Sequence, residues 1–375
     1  MPIRIGVVGC GSVSQRGLLP HLSADDIKDK VKLVAVCDVV VERAKACKER
    51  FNADEWYSSY EDMLSKAGLD AVTIATPIQL HYEQALKAIK AGVHVHLNKP
   101  MALTVEEADV ILSERDKARV KLVASPGIAF RRDVERVRSM LKDGIVGKIY
   151  WARTGATAEG HEYEDFRKPG DLVVAVDPSW YYKRGGGPVY DMGVYALHLI
   201  TGVIGPVKRV TAMSGIGLKR RMVLGREVEV EMDDNTVMLL DFGDSKFAIL
   251  HSAFCIGDGE PFSGLYVAGS DGALKLEYGH IEVWSRKIES WHYVEELPQN
   301  RLPYVSGVHT KIPEAHIYSD IMHLVDCVLN EKEPVISGEH ARHVIEIIEK
   351  AYISAKTEKT QHLQTSFQLK PLKEW

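Results

Sequence analysis

IRIGVVGCGSVS, residues 3–14, is the stretch that decides the fold. An apolar run, Ile3, Ile5, Val7 and Val8, enters the glycine turn Gly9-Cys10-Gly11, and helix-like sequence follows. That is the shape of a phosphate cradle. Gly9 can take a tight turn, Gly11 lacks a Cβ that would hold a pyrophosphate off the backbone, and the N-terminus of the next helix stabilises the anion's charge. Ser12 and Val13, at the helix opening, belong to the same cradle. Ser14 stands where a full dinucleotide fingerprint has its third glycine, and it is small enough for close helix-to-strand packing.

The next β-rich run, Val31 to Cys37, ends in Asp38, 24 positions beyond Ser14. A spacing of roughly 20 is expected for the carboxylate that accepts hydrogen bonds from the adenosine ribose. Such an acid repels a 2′-phosphate, and Val39 to Val41 bring no Arg or Lys to hold one, so the expected cofactor is NAD rather than NADP. The bland alternative for Asp38 is a cap on the helix beginning near Val40.

The chain has 375 residues, 45% hydrophobic and 26% charged, which is a globular profile with room for two domains. Met1-Pro2-Ile3 runs straight into the first strand and no apolar run approaches membrane-spanning length, so a cytoplasmic protein without a membrane partner is expected. Five cysteines without C-x-x-C pairs suggest neither a disulfide framework nor a zinc site. A net charge of −5 with interspersed signs argues against nucleic acid as a partner.

Strands and helices alternate to Ala124, the rhythm of a doubly wound parallel sheet, whose ligands bind beyond the carboxyl ends of the strands. Two of those ends carry chemistry. Thr76-Pro77 follows one strand, with His81 a turn into the next helix, and these residues would line the nicotinamide side. Asn98-Lys99-Pro100 follows another, and Lys99 would project from the ligand edge. From Gly147 onward the sequence is strand-rich, with a hairpin turn at Gly243-Asp244. Helices are expected over 314–329 and 339–357, and 363–375 reads as a strand or extended tail.

Between these halves, Gly155 to Arg184 has no clear periodicity and mixes charges with His161, Tyr163, Phe166, Trp180, Tyr181 and Tyr182. It reads as a substrate-side lid, because aromatics in succession are costly to leave in water. Gly185-Gly186-Gly187-Pro188 then leads into VYDMGVYALHLI, a helix apolar on all sides. Its polar exceptions, Asp191, Tyr195 and His198, fall at i, i+4 and i+7 and should share one face, as a hydrogen-bond network or the wall of a site.

Together these motifs resemble the Gfo/Idh/MocA family of glucose-fructose oxidoreductases and inositol dehydrogenases. That family's Glu-Lys-Pro signature appears with Asn98 in the Glu position and with Lys99 and Pro100 matching. Its second pattern, a glycine triplet followed by Asp-x-Gly-x-His, is met by Asp191 and Gly193. Tyr195 stands at the His position, as in the glucose-fructose oxidoreductase and dimeric dihydrodiol dehydrogenase branches. The resemblance implies that Lys99 is catalytic and contacts the substrate hydroxyl, that Asn98 hydrogen-bonds the nicotinamide ribose, that Tyr195 takes the acid role and that Asp191 orients Lys99 or a nearby hydroxyl. It also implies a second domain whose bare sheet face makes a subunit interface.

The expectation is an α/β protein with an N-terminal Rossmann domain over 1–124. A C-terminal substrate and oligomerisation domain over 125–375 would carry a large open, mostly antiparallel sheet. The expected activity is NAD-dependent hydride transfer from a sugar, cyclitol or related polyol, bound near Lys99, Trp180, Asp191, Tyr195 and His198, in a homodimer or homotetramer. The alternatives are a redox-neutral NAD-retaining enzyme and a non-catalytic dinucleotide-binding regulator. His94 with His96, and His340 with His343 on a helix face read as exposed, are not expected to bind metal.

Overall fold

A computed structural model describes residues 1–164, 172–257, 264–297 and 301–370. Phe166 and the tail residues 371–375, to which the sequence assigned roles, lie outside the described residues. The chain forms two compact units. The first is Met1–Gly127 with Glu162–Pro178 and Tyr304–Ala341, and the second is Ile128–His161 with Ser179–Pro303 and Arg342–Trp375. Two stretches that the sequence assigned to a second domain therefore pack with the first unit. Long-range contact, which no local pattern encodes, brings them back.

In the first unit, β1 (Ile3–Val8), β2 (Val31–Cys37), β3 (Glu55–Tyr57), β4 (Ala71–Ile74), β5 (His94–Leu97) and β6 (Leu122–Ala124) form one sheet. Its order is β3-β2-β1-β4-β5-β6 and every pair is parallel. This is the doubly wound order, with its switch point between β1 and β4. Apart from β3, the strands are buried on both faces because helices cover them, which is why they read as near-continuous Val, Ile, Leu and Ala. The edge strand β3 escaped the sequence reading because it has three residues and is largely exposed.

The second unit holds β7 (Ile149–Thr157), β8 (Arg209–Gly215), β9 (Arg220–Val223), β10 (Arg226–Glu229), β11 (Asn235–Gly243), β12 (Lys246–Ala253), β13 (Leu265–Gly269), β14 (Gly272–Glu277), β15 (His280–Ser285), β16 (His292–Glu296) and β17 (Gln361–His362). Nine of them make a sheet ordered β16-β15-β14-β13-β7-β12-β11-β8-β17, while β9 and β10 form a separate hairpin. All pairs in the large sheet are antiparallel except β7 with β12. The expected hairpin turn joins β11 to β12, with Gly243, Asp244 and Ser245 all at positive φ.

Period-two alternation sorts this sheet's faces. Met238, Leu240, Ala248, Leu250, Ala152 and Val267 are buried, whereas their neighbours Val237, Leu239, Phe247 and Trp151 point outward and are substantially exposed. The C-terminal stretch expected to run extended from Leu363 gives a two-residue strand, β17, just before it. Beyond, Glu346 accepts the backbone N–H groups of Gln364 and Thr365, each at 2.7 Å.

Candidate active site

The glycine turn behaves as its residues require. Gly9 has φ +90°, and a Cβ on it would sit 2.6 Å from the carbonyl oxygen of Ala75 at the end of β4, so only glycine fits. A Cβ on Gly11 would meet nothing within 4 Å, which leaves that side of the turn open to a ligand. At the missing third glycine, fully buried Ser14 donates its hydroxyl to the Gly9 carbonyl and ties the helix opening to the turn. The helix begins as a π-turn over Ser14–Leu18, a geometry often found at functional sites.

Gln15 was not singled out from sequence, yet it braces this turn. Its carboxamide nitrogen donates to the carbonyls of Cys10 (2.9 Å) and Val174 (3.0 Å), and its oxygen accepts the Val174 N–H at 3.0 Å. Polar residues inside a helix are usually read as solvent-facing, so only the return of residues 172–178 exposes the role.

Asp38 directly follows β2 and is 6% exposed. Its Oδ2 accepts the Cys10 N–H and its Oδ1 the Val40 N–H, both at 2.9 Å, so the acid stitches the glycine turn to the following helix. The basic residue that Val39 to Val41 lack comes from one helical turn on: Arg43 pairs with this carboxylate. Val39 is well exposed.

At the ends of β4 and β5 the side chains mostly hold backbone. Buried His81 lies 2.7 Å from the Pro100 carbonyl through Nδ1 and 2.9 Å from the Thr76 carbonyl through Nε2, clamping the two strand-end loops together. Burial lowers its pKa, while those two carbonyls pull the other way. Its side chain is buried and holds backbone through both ring nitrogens, a bracing role the sequence alone did not indicate. Thr76 donates its hydroxyl to Gln84 at 2.6 Å. Asn98 is buried and its Oδ1 accepts the Lys99 N–H at 2.8 Å, and the Lys99-Pro100 bond is cis. Half-buried Lys99 thus leaves a turn pinned from both sides.

Behind that turn, His96 on β5 contacts Ser125 Oγ at 2.9 Å, and Ser125 donates to Asp320 Oδ2 at 2.6 Å. The same oxygen accepts the Gly127 N–H at 3.0 Å. Burial pushes the Asp320 carboxyl up to about 7 and the His96 imidazole down to about 3. His94 accepts the Lys121 N–H at 2.9 Å. Each strand histidine thus holds a neighbouring segment through one ring nitrogen.

In the second unit, the glycine-rich segment opens its helix with another π-turn, Val189–Gly193, before the α-helix Val194–Ile204. Asp191 thus lies on the π-turn, while Tyr195 and His198 lie on the α-helix that follows it. Asp191 is buried and reaches His161, with Oδ2 and Nε2 2.8 Å apart. Tyr195 is half-buried. His198 turns inward, its Nδ1 2.8 Å from the Val194 carbonyl of its own helix, and burial lowers its pKa to about 4.

Trp180 is half-buried and stacks on Tyr181 with ring centroids 3.9 Å apart. His340 and His343 are buried rather than exposed, and His343 accepts the Val207 N–H at 3.0 Å and contacts Thr365 Oγ1 at 2.9 Å. The helix looked amphipathic in isolation, but tertiary packing covers that face.

Residues 3–125 match the description "Oxidoreductase family, NAD-binding Rossmann fold" of GFO/IDH/MocA, and residues 134–275 match "GFO/IDH/MocA C-terminal domain". The chain belongs to the GFO/IDH/MocA family. It is similar to a D-apiose dehydrogenase of Paraburkholderia graminis, 25% identical over 360 residues that span 96% of this chain and 89% of that protein. It is also similar to a D-glucoside 3-dehydrogenase of Escherichia coli, 30% identical over 221 residues, covering 57% of this chain and 58% of that one. The fold matches the crystal structure of an NAD binding oxidoreductase from Klebsiella pneumoniae with a TM-score of 0.80 at 19% identity, over 97% of this chain and 100% of that one.

As a GFO/IDH/MocA protein the chain is an NAD-dependent oxidoreductase. Its own residues fit that cofactor. The open side of Gly11 is a cradle that a larger residue would fill, and the buried Asp38 carboxylate adjoins the same turn. Among the described residues no helix is long and apolar enough to cross a membrane.

Proposed function

We propose that this protein oxidises a secondary hydroxyl of a sugar, cyclitol or related polyol, or runs the reverse reduction, with NAD as hydride carrier. The observation that carries the reading is the glycine turn: Gly9 is forced by the Ala75 carbonyl and Gly11 is left open, at the switch point of a six-stranded parallel sheet. The cofactor supplies the hydride chemistry, and the protein supplies orientation and proton handling.

In this reading Gly9, Gly11, Ser12 and Val13 hold the pyrophosphate, Asp38 holds the adenosine ribose, and Asn98 with the Thr76-Pro77 turn borders the nicotinamide. Lys99 and Tyr195 hydrogen-bond the reacting oxygen and pass its proton on, and Asp191 fixes the geometry of that exchange. Trp180 offers an aromatic wall to the apolar face of a sugar ring. His198 is bonded into its own helix. Similarity to dehydrogenases of D-apiose and of D-glucosides supports a carbohydrate substrate.

A panel of pentoses, hexosides, inositols and sugar acids, assayed for NADH formation by absorbance, tests the proposal. NAD reduction with at least one of them in the wild type, and its loss in Lys99→Met, is expected. Failure across the panel in both directions overturns it.

The outward rows of the large sheet support a homodimer or homotetramer. Met213, Val237, Leu239, Phe247 and Trp151 put apolar area on a face that no described helix of the second unit covers, and such a patch is usually buried by another subunit. The described cysteines are all unpaired, which suits a reducing, cytoplasmic setting.

A further inference from the structure

His161 sits in a box whose described walls belong to the second unit. Its backbone N–H donates to the Tyr182 hydroxyl at 2.8 Å, and its Nε2 lies 2.8 Å from Asp191 Oδ2. The Tyr181 ring stacks on the imidazole with centroids 3.7 Å apart, and Phe254 meets it edge-on at 5.1 Å. The chain arrives through Gly160 at φ +130°, a backbone conformation that favours glycine.

The walls of the box are themselves braced. Tyr182 is 1% exposed, and the Arg221 guanidinium lies 4.7 Å over its ring. Arg221, on β9, donates to the Glu159 carbonyl at 2.7 Å and to the Phe254 carbonyl, and it pairs with Asp234 at 3.3 Å. Among the described residues, the titratable and charged groups at His161 include Asp191 from the helix, Tyr181 and Tyr182 from the preceding turn and, behind Tyr182, Arg221 with Asp234.

A structural role explains this arrangement poorly. Burying an ionisable pair costs desolvation energy that well-packed apolar residues of similar volume avoid, so a buried pair is weak evidence of stability. The partner here is Asp191, the acid that the proposed site already uses. The unperturbed pKa values of Lys and Tyr lie near 10, so neither is an efficient proton acceptor at neutral pH, whereas imidazole is. A carboxylate bonded to an imidazole fixes its tautomer and stabilises the imidazolium that forms.

We propose that His161 is the final acceptor of the substrate's hydroxyl proton, with Asp191 as the residue that positions it. In the oxidation direction the substrate C–H bond breaks and its electron pair leaves as hydride to NAD. The O–H bond breaks as C=O forms, and the proton is passed to the imidazole, giving an imidazolium balanced by the Asp191 carboxylate. Reduction runs the same transfers backward. The inference rests on the proposed dehydrogenase function and names the proton's destination within it. A histidine from another segment then supplies the imidazole that the family's pattern places where this chain has Tyr195.

The test uses whichever substrate the NADH panel identifies. The kcat/KM of the wild type should rise with pH through one ionisation. His161→Gln should lower kcat by roughly 10²-fold or more and lose that limb, while NADH affinity by fluorescence stays within a few-fold. In His161→Ala, added imidazole should restore part of the rate, a rescue that a merely structural role does not give. Asp191→Asn should shift the limb.

A His161→Gln enzyme that keeps both kcat and the limb overturns the inference, even if Lys99→Met is dead and the dehydrogenase reading stands. Lowered melting temperature in His161→Ala without imidazole rescue also overturns it and marks a structural pair. If no substrate reduces NAD in the wild type, the function itself falls, and this inference falls with it.

Discussion

Arg43 Nη1 lies 3.2 Å from both carboxylate oxygens of Asp38. Asp38 is therefore an acid with a cation already attached, and that cation sits beside the glycine turn. Removing the acid would release Arg43 to meet a 2′-phosphate. Asp38→Ala alone should shift the NAD-to-NADP affinity ratio toward NADP by tenfold or more, about 1.4 kcal/mol. Asp38→Ala with Arg43→Ala should bind both weakly. Calorimetry decides, and tighter NADP than NAD binding by the unmodified protein contradicts the assignment of Asp38.

The two glycines of the turn should fail differently. A Cβ at Gly9 meets the Ala75 backbone, so Gly9→Ala should lower the melting temperature and the yield of folded protein. Gly11→Val has open space around it and should fold normally while losing NAD affinity by tenfold or more. Thermal melts paired with NADH fluorescence separate the outcomes, and retained affinity in folded Gly11→Val removes Gly11 from the cradle.

Proton handling at Lys99 and Tyr195 gives a third expectation. Lys99→Met and Tyr195→Phe should each lower kcat by roughly 10²-fold or more, with NAD affinity within a few-fold. His198→Asn should instead act on stability, because its imidazole bonds its own helix. If steady-state kinetics show His198→Asn to be far more damaging than Tyr195→Phe, then His198 and not Tyr195 answers to the family's histidine.

Acid should unfold this protein early. Burial holds His21, His198 and His343 near 4 and His96 near 3, against an ordinary 6.5. Between those values and 6.5 the unfolded chain binds protons that the folded one refuses, so stability falls as pH falls through that window. Asp320, raised to about 7, acts oppositely, since its folded carboxyl keeps a proton that the unfolded one loses above the ordinary 3.8. Four groups against one leave a net loss toward acid. Urea melts from pH 7 to pH 4.5 should show a falling midpoint, and His198→Asn should flatten the slope by about 1.4 kcal/mol per pH unit. A midpoint independent of pH rejects the account.

Assembly is tested on the outward sheet rows. Val237→Lys with Leu239→Lys places two charges side by side among Met213, Phe247 and Trp151, and both sites are partly exposed in the isolated chain. The fold should tolerate them while an oligomer should not. Light scattering should report a dimer or tetramer for the wild type and a monomer for the variant. A wild-type monomer at micromolar concentration refutes the interface.

Local chemistry alone determined much of this protein. Val-rich runs between glycine turns read as buried parallel strands, Gly9-Cys10-Gly11 reads as a tight turn, and Asp38 follows the strand where a ribose acid is expected. Each of these depends on residues close in sequence, so periodicity and spacing carry them. The same holds for the helix expected to begin near Val40, which runs Val41–Phe51.

What only the tertiary structure decided are relationships across distance. His161 meets Asp191 from 30 positions away, and Gln15 grips Val174 from 159. Packing buries His340, His343 and His81, which helix patterns alone assign to solvent or to a ligand. A π-turn, invisible to any fixed helical period, opens the helix at Val189–Gly193 and carries Asp191. A sequence constrains which side chains are available; which of them meet is set by loop closure and burial, energies that belong to the whole chain.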